Sequence, residues 1–455
     1  MATQTGKAGG ADAADAGANT AAGGGGAGTG PRIRMYRVGF GDFFLLSVPT
    51  GAGAMAHVLV DCGVHAHDLG VMPAAVRQLK ADTGGALALV IMTHRHADHI
   101  SGFGSASDVF KTFTVERVWM SWFEDPRDDK ALNIQAGLRA TATHLQAALA
   151  MRAGPGDEQY AHMAGNVLGI GKGGNAAALA MLHAFTTPDG QPTPVDYYTA
   201  GDTPILPASL AAGGLEAQIL GPPRDLNLVA QMDNAAHQYL ASDEGEGGGP
   251  AKIFADVYRR ADFPWQARSE PLFPAETVRA NIEAAQPDAL AAAANKADNA
   301  LNNQSLVVLF TFAGKTMLFS GDAQWGNWAS FLFGGAIGTP GHTALTDDSK
   351  AILGKLDFYK VGHHGSTNAT PIDVVNAMKQ GCYAMCSTDP GAYGNPDKGT
   401  EVPRTPLMDA LETRSGQKLA RSDQVPVGDK PATPGLPPLA APYQPGPSGS
   451  IDLWL

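Results

Sequence analysis

Three histidines and an aspartate fall within six consecutive positions of this 455-residue chain. They are His94, His96, Asp98 and His99, and they follow the apolar run Ala86–Met92 directly. The whole chain has only 13 histidines, so composition alone does not account for this density. Imidazole and carboxylate groups together suit zinc, manganese or iron. We therefore predict that these four residues bind metal.

The spacing divides the cluster between two ions. Alternate residues at an extended strand end point the same way, so His94 and His96 can reach one ion together. Asp98 and His99 lie just beyond, where the chain turns and can face a second ion. The alternative is a polar loop with ordinary surface histidines, and the position after a buried strand favours the metal site.

Two later segments also place ligand-type residues after expected strands. Asp322 follows the strand expected at 316–320. A Gly-Asp pair after a strand is usually part of a turn. Together with the histidine cluster, however, Asp322 is predicted to bridge two metal ions. His363 and His364 follow the strand expected at 356–361, and neighbours in sequence point in different directions. We assign His363 to the metal and His364 to protonating or stabilising the leaving oxygen. A solvent-exposed histidine pair is the alternative.

Three further polar residues are candidates for supporting roles. Asp61 ends an expected strand and is predicted to accept a hydrogen bond from a ligating imidazole, fixing its tautomer, with turn capping as the alternative. Asn303 and Ser305 open a strand just upstream of Asp322, and both turn capping and active-site polarity stay open for them. Because the chemical segments all follow strands, we expect them to meet at one rim of the sheets.

The elements that must position these residues alternate between strand and helix, which argues for an α/β architecture. Early strands are predicted at 33–38, 43–48, 57–61 and 86–92, with a helix at 71–80. Later strands are predicted at 115–122, 217–220, 305–312, 316–320 and 356–361, with a long helix at 131–152.

We divide the chain into a tail and one large domain. Residues 1–31 are low in complexity and poor in large apolar side chains, so a disordered tail is predicted. Residues 32–455 form the domain, with an insertion of helix and loop at about 104–300. Within that insertion, helices are predicted at 275–286 and 288–297. A Pro/Gly-rich C-terminal segment runs from about 422 to 450.

Composition limits the classes of function. Hydrophobic residues make up 44% of the chain, enough for a sizeable core. The formal net charge of −12 and the lack of a basic-aromatic tract count against extended nucleic acid as a partner. Three cysteines do not indicate a disulfide framework, which favours a reducing compartment. With no apolar span and no secretory leader pattern, we predict a cytoplasmic protein that does not associate with membranes.

The motifs resemble those of a known superfamily. The run His94–His99 matches the His-x-His-x-Asp-His signature of the metallo-β-lactamase superfamily, and Asp61, Asp322 and His363 match its flanking acid, bridging acid and late histidine. More narrowly, five segments are similar to the hydrolase domain of ComEC-type DNA-uptake competence proteins: 38–42, 60–63, 303–305, 320–322 and 362–366. The match covers roughly 33–102 and 300–370 and leaves out the membrane segments of the competence proteins. The chain would be a free-standing relative.

The resemblance implies a four-layer αββα sandwich with its metals at one edge of the two sheets. It also implies hydrolysis, often of phosphodiesters in this branch. Many members of the superfamily supply a further ligating histidine between the main cluster and the bridging acid, commonly after glycine. The histidines in that interval are His144, His162, His183 and His237, and none has that context. Water or another residue would then complete the first metal.

The expected function is a binuclear metal-dependent hydrolase that uses a metal-bound hydroxide, with Asp98 catalytic as well as ligating. Two divalent ions are expected, zinc first and manganese or iron as alternatives, and no organic cofactor. A small phosphodiester such as a nucleotide, or a nucleic acid, is the preferred substrate. The alternatives are a thioester or lactone hydrolase of the same fold, and a non-catalytic, metal-stabilised interaction module.

Overall fold

Two β-sheets, packed face to face, form the centre of the molecule. The computed structural model describes residues 30–51, 53–152, 175–239 and 300–455. The strands are β1 (Arg32–Tyr36), β2 (Phe43–Gly51), β3 (Ala54–Cys62), β4 (Ala86–Met92), β5 (Thr114–Ser121), β6 (Val195–Tyr198), β7 (Glu216–Gly221), β8 (Val307–Phe312), β9 (Lys315–Phe319), β10 (Phe358–Lys360), β11 (Tyr383–Cys386), β12 (Leu419–Arg421), β13 (Gln444–Pro445) and β14 (Ser450–Trp454).

Helices cover the outer faces of both sheets. They are α1 (Met72–Thr83), α2 (Ala97–Ser105), α3 (Ser107–Phe110), α4 (Asp129–Arg152), α5 (Asn175–Leu182), α6 (Ala208–Ala212), α7 (Leu226–Val229), α8 (Trp325–Phe333), α9 (Asp347–Leu353), α10 (Ile372–Ala377) and α11 (Thr405–Ser415). Apolar residues of α1, α2, α3 and α5 share a core with the first sheet, and those of α8 to α11 share one with the second.

The strand order separates the two sheets cleanly. The first runs β13-β14-β1-β2-β3-β4-β5-β6, and the second runs β12-β11-β10-β9-β8-β7. Side chains from the facing sides of both sheets, among them Phe44, Trp119 and Phe310, are fully buried in one core between them. Helix, sheet, sheet and helix therefore form four layers. The αββα fold implied by the resemblance to metallo-β-lactamases is confirmed.

Parallel pairing brings the chemical segments to the strand ends. In the first sheet β3, β4, β5 and β6 are parallel, and in the second β9, β10, β11 and β12 are parallel. Parallel strands deliver their carboxyl ends to the same edge, where sites of α/β proteins commonly lie. Asp61 lies at the end of β3, and the segments that carry His94, Asp322 and His363 follow β4, β9 and β10.

The sequence-based elements agree with the structure within a few residues. The strand predicted at 86–92 is β4, and the long helix predicted from residue 131 is α4. Within the segment 104–300, β5 and β6 belong to the first sheet and β7 to the second, so its described part contributes strands to the sandwich itself. The helices expected at 275–286 and 288–297 and most of the 1–31 tail lie outside the described residues. The domain boundaries stay predictions.

Two expectations from composition can be compared with the structure. The three cysteines are buried and unpaired. Among the described residues, no helix combines the length and the apolar character needed to cross a bilayer. The cellular compartment stays a prediction.

Candidate metal centre

Four ligand-type side chains from three chain segments meet at the rim of the sheets. Ligand atoms of Asp98, His99, Asp322 and His364 all lie within 4.8 Å of one another; we call these residues the Asp98 group. His99 Nε2 is 3.0 Å from Asp322 Oδ2, and His364 Nε2 is 3.2 Å from Asp98 Oδ2. Both sheets therefore contribute to one cluster, as the sequence predicts.

Hydrogen bonds at Nδ1 orient both histidines of this group. His99 Nδ1 lies 2.7 Å from Asp61 Oδ2, and His364 Nδ1 lies 2.9 Å from the carbonyl oxygen of Ser387. Each Nδ1–H donates to an oxygen, so in the neutral tautomer each Nε2 carries a lone pair. Without an ion, burial opposes charge on both imidazoles, but the facing carboxylates outweigh it and raise the pKa of His99 and of His364 above the usual value. The Nε2 protons then lie between each imidazole and its carboxylate, and a divalent cation would take the place of these protons.

The group fits a divalent metal ion on two grounds. Within the described part of the chain, His99 Nε2 and Asp322 Oδ2 are buried without a hydrogen-bond partner, although they lie 3.0 Å apart. Buried polar atoms normally find a partner, so such a convergence needs an explanation. Two imidazoles with two carboxylates form a donor set that suits zinc, manganese or iron. The chain therefore holds residues that could bind a divalent ion here.

Asp61 makes the contacts that its predicted positioning role requires. Its Oδ1 accepts from the Thr93 backbone N–H at 2.8 Å, and its Oδ2 accepts from Thr93 Oγ1 at 2.7 Å as well as from His99. The backbone of Asp61 is in the left-handed region at φ 53°. A non-glycine residue held there costs free energy and persists only where surrounding structure enforces it.

His94 and His96 lie beside this group; we call them the His94–His96 pair. His94 Nδ1 is 3.2 Å from both Thr93 Oγ1 and Ser305 Oγ, and its Nε2 is 3.0 Å from His96 Nδ1. The His94 and His99 rings are 4.1 Å apart. In the part of the chain that the structure describes, no third His, Cys, Asp or Glu completes a ligand group with this pair.

The histidines between the main cluster and Asp322, none of which has the sequence context of the further ligating histidine, are placed elsewhere or lie outside the described residues. His183 is exposed, and His144 is half-buried on α4. His237 stacks on Trp325 at 4.4 Å and pairs with Asp373 at 2.5 Å. His162 falls within the segment 153–174, which is not described.

Ser305 and Asn303 differ in their relation to the site. Ser305 Oγ accepts from the Asp322 backbone N–H at 3.0 Å and contacts His94, so it joins the two sets of ligand candidates. Asn303 instead bonds the backbone of Val229, Gln231 and Gln324. Its contacts are those of a residue that ties loops together.

The late histidines occupy positions opposite to the expected ones. His364 is fully buried within the Asp98 group, whereas His363 has a side chain that is 22% exposed and Nε2 3.9 Å from Asp322 Oδ2. His363 Nδ1 lies 3.1 Å from Asn368 Oδ1, and its Nε2 lies 3.5 Å from Asn302 Nδ2. Both histidines have positive φ, 43° and 54°. Strain of this kind clusters at functional sites.

Two glycines permit the close approach of these segments. Gly321 has φ 52°, and a Cβ there would lie 2.8 Å from the Cβ of Thr93. A Cβ on Gly63 would lie 2.4 Å from backbone atoms of Asp98 and His99, in the first turn of α2. Any larger residue at either position would push the ligand segments apart.

Lys360 and Asp42 were not identified from the sequence as members of the site. The Lys360 side chain is 2% exposed, and its ammonium pairs with Asp42 and donates to the Gly321 carbonyl at 3.0 Å. Asp42, Asp61 and His99 form a second group of potential ligands. Lys360 already supplies a cation to that group, and Thr93 hydrogen bonds occupy Asp61. Lys360 could have been identified from the sequence, because it is a lysine within the largely apolar stretch 356–361.

Mutual charges decide the ionisation of the group. Burial opposes charge on Asp98, but the hydrogen bond from His364 and the charges of His99 and His364 outweigh it and hold the pKa of Asp98 well below its usual value. Burial likewise opposes charge on Asp322, and the same two histidines hold its pKa well below normal. Burial, aided by His99 and His96, lowers the pKa of His94, which favours the neutral, ligating imidazole.

Of three comparisons with known proteins, only the one with solved structures gives matches. No protein-family model matches the chain, and no curated protein matches it. Among solved structures, the chain is similar to a Beta-lactamase domain protein from Burkholderia ambifaria, with 15% sequence identity and a TM-score of 0.21. The alignment covers 41% of this chain and 44% of that chain, less than half of either. The fold assignment therefore rests on the layer order of the two sheets.

Proposed function

We propose that the protein is a metal-dependent hydrolase whose principal ion binds the Asp98 group. The observation that carries this proposal is the convergence of two imidazoles and two carboxylates in one buried group: Nε2 of His99 faces Asp322 at 3.0 Å, and Nε2 of His364 faces Asp98 at 3.2 Å. A structural site is usually saturated with protein ligands, whereas a catalytic site keeps a position for water or substrate. The half-exposed side of this group, at Asp98 and His363, provides that access.

Some residues of the chain would bind the ion, and others orient those ligands or the substrate. A divalent ion bound here would act as a Lewis acid and lower the pKa of water. Asp61 and the Ser387 carbonyl fix the ligating tautomers of His99 and His364. We assign His364 to the ligands and His363 to the substrate side, exchanging the roles expected from the sequence. His363 would orient an oxygen of the substrate.

We further propose a second, weaker ion at the His94–His96 pair, with Asp322 shared between the two. The orientation of His94 by Thr93 and Ser305 and the 3.0 Å approach to His96 support this assignment. Zinc is the first choice for both ions, because imidazole nitrogen makes up half or more of the donors.

For the substrate we propose a phosphodiester, on the strength of the motifs shared with ComEC-type hydrolase domains. A small diester suits a chain with net charge −12 better than a long polyanion does.

The test combines metal analysis with a substrate panel. Protein purified without chelator would be assayed for metal by mass spectrometry and for hydrolysis of a phosphodiester reporter, a thioester and a lactone, with and without added zinc or manganese. We expect bound metal and metal-dependent cleavage of the diester. His99→Ala should abolish both, while His183→Ala, which changes an exposed histidine, should leave both intact. Cleavage of the thioester or lactone alone would reject the phosphodiester, and absence of metal and turnover after reconstitution would reject the hydrolase.

A further inference from the structure

Lys360 is a buried lysine that the proposed chemistry does not use directly. It ends β10, a strand buried along its whole length, and its side chain is almost without solvent contact. Its ammonium pairs with Asp42, donates to the Gly321 carbonyl oxygen at 3.0 Å, and lies 3.6 Å from Asp322 Oδ1. Burial opposes the charge, but Asp42 and Asp322 outweigh it and raise the pKa of Lys360, so the ammonium stays charged.

A buried ion pair of this kind is weak evidence for a role in stability. Removing two charges from water is costly, and well-packed apolar residues in the same place are often as stable or more so. Stability alone therefore does not account for the Lys360–Asp42 pair, and its neighbours indicate another task.

The pair contacts every member of the Asp98 group. Asp42 Oδ1 lies 3.6 Å from His364 Nδ1, and its Oδ2 lies 3.7 Å from His99 Nδ1. The Asp42 backbone N–H donates to the Asp98 carbonyl oxygen at 2.8 Å, next to the first turn of α2. Lys360 reaches the fourth member, Asp322.

The contact with Asp322 distinguishes its two oxygens. Oδ1 accepts from the His363 backbone N–H at 3.0 Å and faces the Lys360 ammonium. Oδ2 is the atom that faces His99 Nε2 at 3.0 Å. One oxygen is thus held by the protein, and the other is directed into the ligand group.

We propose that the Lys360–Asp42 pair is a positioning device for the metal centre. Its ammonium holds Asp322 Oδ1 so that Oδ2 alone is presented to the ion, and its carboxylate supports the Nδ1 sides of His99 and His364. The ammonium also fills the Asp42–Asp61–His99 group with a fixed cation, so that group does not bind a second divalent ion. This inference rests on the proposed function of the Asp98 group.

The test removes the pair without leaving an unpaired charge. In the Lys360→Met/Asp42→Asn double variant both charges are lost together, so the net charge is unchanged. A matched control is Arg117→Met/Asp196→Asn, which removes another ion pair, with Arg117 Nη1 2.7 Å from Asp196 Oδ2, that joins β5 to β6 and is not part of the Asp98 group. Each protein would be titrated with zinc, its cobalt(II) absorption spectrum recorded, and its Tm measured.

We expect the double variant to bind zinc about 10–100-fold more weakly than the wild type, the usual loss when an outer partner of a metal ligand is removed. Its cobalt spectrum should shift because Asp322 is no longer held to one oxygen. The control should retain the wild-type affinity and spectrum even if its Tm falls. A purely structural pair would lower Tm in both double variants and alter neither affinity nor spectrum.

Equal affinity and an unchanged spectrum in Lys360→Met/Asp42→Asn would overturn the inference, as would an equal loss in the control. If that variant does not fold, Asp42→Asn alone is titrated instead: Lys360 keeps its bond to Gly321 and its position beside Asp322, so a loss of affinity there reports the support that the Asp42 carboxylate gives to His99 and His364. A wild type that binds no metal would instead reject the proposed function, and a wild type that binds metal beside an unaffected variant would reject this inference only.

Discussion

The Asp98 group and the His94–His96 pair share the short motif at residues 94–99 yet differ in the described contacts around them. The group has four ligand candidates from both sheets, each held by a hydrogen bond, an ion pair or a helix turn. In the pair, the Thr93 and Ser305 hydroxyls orient His94, and no ligand group found among the described residues includes either imidazole. If both regions bind ions as proposed, we expect the region with more described supporting contacts to hold its ion more tightly.

The largest effect should follow from changing Asp322, because both ions would depend on it. Asp322→Asn removes the charge of Oδ2, and we expect metal content to fall to near zero and metal affinity to drop by at least about 100-fold. Measurement is by mass spectrometry after dialysis against zinc buffer. Asp373→Asn, which changes a carboxylate that pairs with His237 and is not a member of the group, is the control. Retention of one tightly bound ion in Asp322→Asn would show that the two regions are independent.

A chelator titration should separate the two regions. We expect the wild type to release two ions in sequence, with the weaker ion of the His94–His96 pair leaving at least about tenfold more readily, because fewer protein ligands hold it. His94→Ala should lose the first step and keep the second. His364→Ala should weaken the second step. A single step of release in the wild type would contradict the comparison.

A smaller effect is expected at the positioning acid. Asp61→Asn weakens the acceptor at His99 Nδ1, and we expect zinc affinity in the Asp98 group to fall about tenfold while the His94–His96 step changes less. Asparagine tolerates the positive φ of this position, so the fold should be retained. Affinities are read from competition with a chromogenic chelator. An equal loss of affinity in both release steps would mean that Asp61 supports the His94–His96 pair as much as the Asp98 group.

The last prediction concerns stability and not metal affinity, at a buried histidine outside both regions. Burial, aided by Arg32, lowers the pKa of His57 to about 4, so the folded protein keeps this imidazole neutral. The unfolded chain, with a pKa near 6.5, takes up a proton as pH falls through this window and the folded chain does not. Stability is therefore present above pH 6.5 and is lost down to about pH 4, by roughly 2–3 kcal/mol.

The control for this prediction is His57→Gln, which has no proton to gain. Urea unfolding at pH 7 and at pH 4 should show the wild type losing more stability than the variant over that interval. Parallel losses in both proteins would place the acid sensitivity elsewhere.

Much of the fold and of the site could be predicted because the responsible signals are local. The apolar run of β4 ends at Met92 where predicted, and the metal motif begins two residues later. Asp61, Asp322 and His364 could be identified because each follows a strand. Parallel pairing then brings such residues to one rim without further information.

What could not be predicted depends on contacts between segments far apart in sequence. Lys360 pairs with Asp42, which lies in the loop between β1 and β2 of the first sheet, whereas Lys360 ends β10 of the second sheet. Its role could therefore not be predicted from the sequence around it. The positions of His363 and His364 follow from two left-handed residues in succession, which no propensity of histidine indicates. The four-residue strand β6 was not predicted, and β7 was predicted at 217–220 but assigned to an insertion, because its place in the second sheet depends on pairing with β8, which lies far along the chain.

The pairing of β1 with β14 also has a consequence for the order of folding during synthesis. Arg32 lies opposite Trp454, so a strand made early finds its neighbour only after nearly all of the described chain has been made. At about 5–20 residues per second, β1 would wait tens of seconds with only β2 beside it. Nascent chains stalled before Ser450 should therefore be cleaved by protease near β1 faster than chains stalled well beyond Leu455. Translation speed, and not only sequence, would then determine how long the edge of β1 that pairs with β14 remains free to pair with a wrong strand.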